Sequence, residues 1–325
     1  MLAQFIPATI SRDLAILAHL PLLFTPTPES AERFFEFFTV QIRNQNTRRA
    51  YYQAVCRFAA WCEGRGLRDL GHIRPLHVAA YVEELGRAAS KPTVKQHLAA
   101  IRMLFDWLVT GQVIGSNPAH AVRGPRHSVR KGKTPVLSAG EMGALLASRD
   151  TGTLVGLRDR ALIALMAYTF ARVGAAIQMQ VEDYFVQRRR GWVRLQEKGG
   201  KSREIPCHHN LEQYLEAWLE ASGLRSEPGA PLFPTLRHGR LSTPRRFLPQ
   251  ANVYRMVQRR AAEAGIETRI CCHTFRATGI TTYLQNGGKL EIAQQMAGHE
   301  SARTTGLYDR RDDTIALDEV ERVAY

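Results

Sequence analysis

The stretch Gly115-Ser-Asn-Pro-Ala-His-Ala-Val-Arg-Gly-Pro-Arg-His-Ser-Val-Arg-Lys-Gly-Lys-Thr134 limits the fold more than any other feature of the chain. It holds two prolines, three glycines and five Lys/Arg with no acid. Such a segment sustains neither a helix nor a central strand, so a chain of 325 residues is expected to form two domains, one on each side of it. The net charge of +14 is shared: seven of the excess positive charges lie in residues 1–130 and seven beyond. A basic tail would concentrate the excess. An even split suits a polyanion held between two basic bodies, with a merely soluble basic protein as the plainer alternative.

Apolar residues make up 45% of the chain, enough for real cores, and no run approaches 18 to 20 consecutive apolar residues. No membrane partner is expected. The start, Met1-Leu2-Ala3-Gln4-Phe5, lacks the pattern of a secretory signal. Five irregularly spaced cysteines read as reduced thiols of a cytoplasmic protein.

Residues 1–28 contain Pro7, Pro21, Pro26 and Pro28, which argue against one long helix. They are taken as an N-terminal arm able to touch DNA or a neighbouring subunit. Residues 29–114 form a helical unit. Phe34, Phe35, Phe37 and Phe38 share one helical run, and Thr47 is placed as the cap of a helix carrying Ala50, Ala54, Phe58 and Trp61 at helical spacing. Further helices are expected near Leu76–Leu85 and from Pro92 to Thr110. Arg48, Arg49, Lys91, Lys95 and Arg102 sit near helix starts or on outer faces, where they can meet phosphates, although a solvated face is the default for any one of them. The basic stretch 115–134 is the linker, either following a duplex or serving as a plain tether.

Residues 135–325 form the second domain. Ser138-Ala-Gly-Glu141 is a capping box. Ala161-Leu-Ile-Ala-Leu-Met-Ala167 is apolar all round, as expected of a buried central helix. Trp192–Glu197 and Arg203–Pro206 flank Lys198-Gly199-Gly200-Lys201 as a β-hairpin with a lysine-bearing tip. Helices follow near 209–222, 250–264, 274–285, 289–297, 301–308 and 313–322. The fold class is mainly α with a small β-sheet.

The C-terminal part gathers unusual chemistry. His273-Thr274-Phe275-Arg276 is followed, 23 residues after Arg276, by Gly298-His299-Glu300-Ser301-Ala302-Arg303-Thr304-Thr305-Gly306-Leu307-Tyr308. A phenol attacks phosphorus directly, leaving a covalent protein–nucleic acid link without metal or nucleotide. With an ordinary pKa of about 10 it needs help at neutral pH. Charge builds on the non-bridging oxygens, which suits the planar fork of arginine. His273 and Arg276, three residues apart on a predicted helix, share a face. Alone, each residue has a plainer reading as a structural side chain; together they form a candidate site.

These residues carry a resemblance. H-x-x-R followed by G-H-x-S-x-x-T-T-x-x-Y resembles the tyrosine recombinases, the phage-integrase and Xer-type enzymes. Thr169-Phe-Ala-Arg172-Val-Gly-Ala175 is similar to the segment bearing the family's first catalytic arginine, and Glu197–Pro206 to its lysine-bearing hairpin, with Lys198 as the catalytic lysine. The first domain is similar to the helical, SAM-like core-binding domain, with matching pieces at Asn46–Tyr51, Phe58–Trp61 and Thr93–Trp107. The resemblance implies an α+β catalytic domain in which Tyr308 attacks the scissile phosphate and leaves a 3′-phosphotyrosine. It further implies that Arg172 and Arg276 clamp the phosphate, Lys198 protonates the leaving 5′-oxygen, and His273 and His299 orient or shuttle protons. Lys201 and Arg203 of the hairpin join the DNA contacts. No cofactor or metal is implied. The partners implied are double-stranded DNA with a specific recombination site and a homo-tetramer on two duplexes, passing through a Holliday junction, with the C-terminal helix docked in trans.

Three residues at two places depart from the family pattern. Ala175 stands where an acid usually buttresses the site, and Glu182 and Asp183 are the nearby acids that could substitute. Phe170-Ala171 replaces the usual Gly-Leu, which reads as a packing change. Ala175 motivates one rival reading, a catalytically attenuated DNA-binding protein on the same scaffold. A type IB topoisomerase-like relaxing enzyme is the other. Gly200-Lys201-Ser202 is no P-loop, because Leu195 occupies its first glycine position, and Cys207-His208-His209 and Cys271-Cys272-His273 lack the spaced ligand pairs of a zinc site.

Overall fold

The computed structural model describes residues 21–129, 132–147, 151–197, 200 and 202–310. Lys198, Lys201, residues 1–20 of the arm and the helix expected near 313–322 lie outside them. The chain divides between Ser128 and Val129 into two compact units. No described helix is long and apolar enough to cross a membrane.

The first unit contains four principal helices: α1 (Pro28–Glu36), α2 (Gln45–Glu63), α3 (Pro75–Ala88) and α4 (Lys91–Thr110). Each starts where the sequence offers a stop and a cap. Thr27 and Ser30 form a capping box ahead of Pro28, Pro75 opens α3, and Ser90 caps α4 ahead of Pro92. The cap of α2 is Asn44, not Thr47: its side-chain oxygen accepts from the backbone N–H groups of Asn46 and Thr47, which puts Thr47 inside the first turn. Phe34, Phe37, Phe58 and Phe105 fill the core. Two residues expected within the arm belong to this core. Leu23 and Phe24 are buried, and Phe24 stacks on Phe34 with ring centroids 5.6 Å apart.

The first residues expected in the linker are likewise fastened to α4. Ala119 and Val122 are buried, Asn117 Nδ2 donates to the Arg102 carbonyl (3.0 Å), and Arg102 donates to the carbonyls of Ala119 (3.1 Å) and Val122. Arg102 thus spends its fork on the chain's own backbone and not on an outer face. Arg48 does the same at the Ile42 carbonyl (2.8 Å), whereas Arg49, Lys91 and Lys95 are exposed.

The second unit is built around α6 (Leu154–Tyr168), preceded by α5 (Ala139–Leu146) with its Ser138/Glu141 capping box. Residues 161–167 of α6 are buried on every face, matching their unbroken apolar character. Asp159, buried on the same helix, is compensated by Arg158 (2.7 Å) and by Arg259 and Arg260 (3.0 Å each). After the short α7 (Val173–Ile177) come β1 (Tyr184–Gln187), β2 (Arg190–Gln196) and β3 (Ser202–Pro206), an antiparallel sheet in that order. The register pairs Gln196 with Ser202 and Leu195 with Arg203, so the strand pairing ends one residue short of Glu197, which the sequence placed in the first strand. The sequence reading missed β1, a four-residue strand whose second half is exposed and carries no alternation. α8 (His209–Ser222) begins at His208, whose ring accepts from Asn210 N–H and stacks on Tyr168; this imidazole is used as a cap. A second, two-stranded sheet, β4 (Leu236–Arg237) and β5 (Arg240–Leu241), precedes α9 (Gln250–Glu263), α10 (Cys272–Gln285), α11 (Leu290–Ala297) and α12 (Ala302–Gly306).

α10 passes so close to the end of α6 that only glycine fits at the crossing. A Cβ on Gly279 would stand 2.1 Å from the Ala167 carbonyl oxygen and 2.7 Å from the Phe170 ring. In a helix interior Gly→Ala ordinarily stabilises by about 1 kcal/mol. Here the sign reverses: Gly279→Ala is expected to lose about 1–3 kcal/mol through overpacking. A thermal melt checks this, and an unchanged or raised Tm would contradict the close approach.

Candidate active site

Five of the six residues singled out from the sequence converge at one end of the second unit. Arg172 stands at the N-cap of α7, directly after α6 ends. The turn between them bends through Phe170, whose φ of 55° is a left-handed conformation that suits glycine far better than phenylalanine. Phe170 is held there by its carbonyl, which accepts from Arg276, and by its ring, which is buried against Tyr283. The Phe170-Ala171 departure is therefore a backbone matter as much as a packing one.

His273 and Arg276 lie on the first turns of α10, three residues apart. Arg276 is fully buried and donates to the carbonyls of Phe170 and Ala297 (2.5 Å), tying the Arg172 turn to the end of α11, while its Nε is buried with no partner among the described residues. Burial first, then the like charge of Arg172, pushes its pKa down to about 10, which leaves it charged at neutral pH.

α11 ends at Gly298, φ 57°, where a Cβ would come within 3.1 Å of the Arg203 side chain. This left-handed turn delivers His299, whose Nδ1 shares a hydrogen bond with Thr305 Oγ1 (2.9 Å), leaving Nε2 for other work. Ser301 caps α12, and Tyr308 follows it. The phenol oxygen lies 2.6 Å from His273 Nε2, and the ring lies parallel to His299 at 5.7 Å between centroids. The backbone on either side of the tyrosine is pinned as well. Thr281 Oγ1 donates to the Tyr308 carbonyl (2.9 Å), Gly132 N–H to the Leu307 carbonyl (2.7 Å), and Arg310 to the Thr134 carbonyl (2.5 Å).

Both imidazoles are held neutral at neutral pH. Burial and the guanidiniums of Arg276 and Arg172 hold His273 below its ordinary value; burial, then Arg276, Arg172, His273 and Arg203, push His299 down to about 4. With its proton on Nδ1, His273 presents Nε2 as an acceptor to the phenol. The depressed pKa of His299 has a consequence for folding. Between about 4 and the ordinary 6.5 the unfolded chain binds a proton at His299 that the folded one does not. Its contribution to stability is therefore fully present above 6.5 and is lost as pH falls toward 4. Denaturant unfolding of the wild type is expected to weaken over that range, and His299→Asn to weaken less steeply. Coincident slopes would assign the acid sensitivity elsewhere.

Arg203, expected among the DNA contacts, is turned inward. It pairs with Glu197 (2.6 Å) and donates to the carbonyls of Gln295 (3.2 Å) and Met296. Glu197 also pairs with Arg172 (2.5 Å). This acid was missed in the sequence, where its only signal is a carboxylate at the foot of a basic hairpin. The two substitutes considered for the acid absent at Ala175 are engaged elsewhere or exposed: Asp183 accepts from Gln180 N–H (2.9 Å), and Glu182 faces solvent.

Residues 135–314 match the model of the phage integrase family, and residues 31–114 that of the phage integrase N-terminal SAM-like domain. The tyrosine recombinase XerD of Mycobacterium leprae is 31% identical over 283 residues, covering 81% of this chain and 86% of its own length. XerC of Vibrio parahaemolyticus is 29% identical over 303 residues, covering 89% and 91%. In fold, the chain is similar to the XerH site-specific recombinase bound to palindromic difH substrate, with a TM-score of 0.68 at 22% identity over 85% of this chain and 79% of that one. A family model covering more than half the chain, together with a relative above 30% identity across most of it, settles membership. The chain belongs to the phage integrase family of tyrosine recombinases, which cleave and rejoin DNA.

Proposed function

We propose that this protein is a site-specific DNA recombinase in which Tyr308 is the nucleophile. The observation that carries this is the phenol of Tyr308, hydrogen-bonded to a neutral His273 and stacked on a neutral His299, beside Arg276. In the proposed step, His273 Nε2 takes the phenolic proton as the tyrosine oxygen bonds to phosphorus. The bond from phosphorus to the 5′-oxygen breaks, and Lys198, at the hairpin tip, gives the leaving oxygen its proton. The products are a 3′-phosphotyrosine and a free 5′-hydroxyl. That hydroxyl, or one from a second duplex, reverses the attack, so strands are exchanged without hydrolysis.

Arg172, 41% exposed at its side chain, is the accessible clamp for the developing charge. Arg276 is fully buried, and its Nε, without a partner among the described residues, is proposed to meet the phosphate once DNA is bound. Exchange between two duplexes cuts four strands, one tyrosine for each, which fits a homo-tetramer. The C-terminal residues 311–325 are proposed to dock on a neighbouring protomer. The basic faces bearing Arg49, Lys91 and Lys95 are proposed to lie along the duplex backbone.

The test is a nicked suicide duplex carrying the site from the protein's own genome or element end. A covalent protein–DNA adduct at the 3′ side of the cut is expected, and Holliday junctions with paired substrates. No adduct on any such site would overturn the reading.

A further inference from the structure

The carboxylate of Glu197 is 5% exposed, where an unpaired charge would be costly. It is paired twice, Oε2 with Arg172 Nη1 at 2.5 Å and Oε1 with Arg203 Nη2 at 2.6 Å. Each partner leads to a different part of the site. Arg172 stands at the turn after α6. Arg203 is on β3 of the lysine hairpin and bonds the last carbonyls of α11, with its side chain against Gly298, the turn that delivers His299. One buried carboxylate therefore joins the first arginine, the root of the hairpin and the histidine turn.

The surrounding charges explain why an acid is needed. Arg172, Arg203 and Arg276 lie near enough that Arg276 feels both of the others as like charges, and Glu197 as an opposing one. Without the carboxylate, Arg172 would be driven outward into solvent. Bound to it, Nη1 of the guanidinium is fixed while the side chain stays 41% exposed. The position three residues after Arg172, on the same short helix, offers only the methyl of Ala175, so no acid on that helix can do this.

We propose that Glu197 is a positioning residue for DNA cleavage, holding Arg172 aimed at the scissile phosphate and the lysine hairpin against the His299 turn. It supplies from the hairpin the carboxylate that position 175 lacks. This rests on the function proposed above.

The test measures single-turnover cleavage of the nicked duplex, DNA affinity and Tm. Glu197→Gln is expected to slow cleavage about 10- to 100-fold with DNA affinity held within about threefold, and Glu197→Asp to retain more of the rate. Because Glu197 acts in part through Arg172, adding Glu197→Gln to an Arg172→Ala protein should cost several-fold less than it costs the wild type, the remainder being its hold on the hairpin through Arg203. Full additivity in that cycle, or a Glu197→Gln protein cleaving at the wild-type rate, would overturn the proposal.

A second readout needs no DNA. In the free wild-type protein the Nη hydrogens of Arg172 should give resolved NMR signals, rotation being restricted by the carboxylate, and these should average in Glu197→Gln. Unchanged spectra would show that Glu197 does not hold the arginine. If the wild type forms no adduct at all, the nucleophile assignment falls, and the spectra still decide what Glu197 holds.

Discussion

Tyr308→Phe is expected to bind site DNA as the wild type does and to form no covalent adduct, a loss on the order of 10⁴-fold or more in cleavage. The structure makes this substitution unusually clean. The ring is 9% exposed and packs in a small core with Phe170, Ala277 and Ile280, and phenylalanine keeps all of that packing. The stack on His299 and the backbone bonds from Thr281 and Gly132 do not involve the hydroxyl. Only the hydrogen bond to His273 is lost, worth about 1 kcal/mol of stability. Anisotropy with labelled duplex should therefore show wild-type affinity, while a denaturing gel shows no shifted band. An adduct in the Phe protein would mean that another side chain attacks. His273 and His299 would then be the first to examine, since both are neutral and adjacent.

What the sequence revealed and concealed follows from the kind of information each residue carries. The His273–Arg276 pair and the Gly298-His299 turn were legible because helix periodicity and a left-handed C-cap are local properties, written within a few residues. The hairpin was legible because its two strands adjoin in sequence. Glu197 was not. The carboxylates that follow Arg172 along the chain, Glu182 and Asp183, are not the ones that stand beside it in space. The one that pairs with it lies 25 residues away and arrives through the fold of the sheet. Arginines were opaque for a related reason. Arg49 on an exposed helix, Arg102 clasping two carbonyls and Arg203 bridging to α11 are alike in sequence, because a guanidinium serves a backbone carbonyl and a phosphate with the same donors. Phe170 was half legible. Its size suggested packing, which its buried ring provides, and only the backbone shows that the position also takes a positive φ.

Arg276→Lys tests whether the buried arginine is a phosphate clamp, a structural tie, or both. It is expected to lower stability by about 2–4 kcal/mol, because a lysine amine cannot satisfy the Phe170 and Ala297 carbonyls together in this geometry and one of them is left buried and unpaired. The loss is aggravated at Phe170, where the hydrogen bond holds a backbone conformation costing about 1 kcal/mol or more for a residue with a side chain. Cleavage measured at saturating DNA and below the lowered unfolding transition should fall a further 10²- to 10³-fold, roughly the value of one oriented donor facing developing charge. The two effects separate by experiment, since urea midpoints read the first and single-turnover rates on folded protein the second. A lysine variant that is destabilised yet cleaves at the wild-type rate would make Arg276 a tie between the Arg172 turn and α11 and nothing more, leaving Arg172 as the only arginine facing the phosphate. Among the described residues the carbonyls of Phe170 and Ala297 take donors from both Nη atoms and leave Nε without a partner. Arg160, Arg203 and Arg310 share that feature, and what argues for the dual role at Arg276 is the Tyr308 phenol close enough for its charge to be felt.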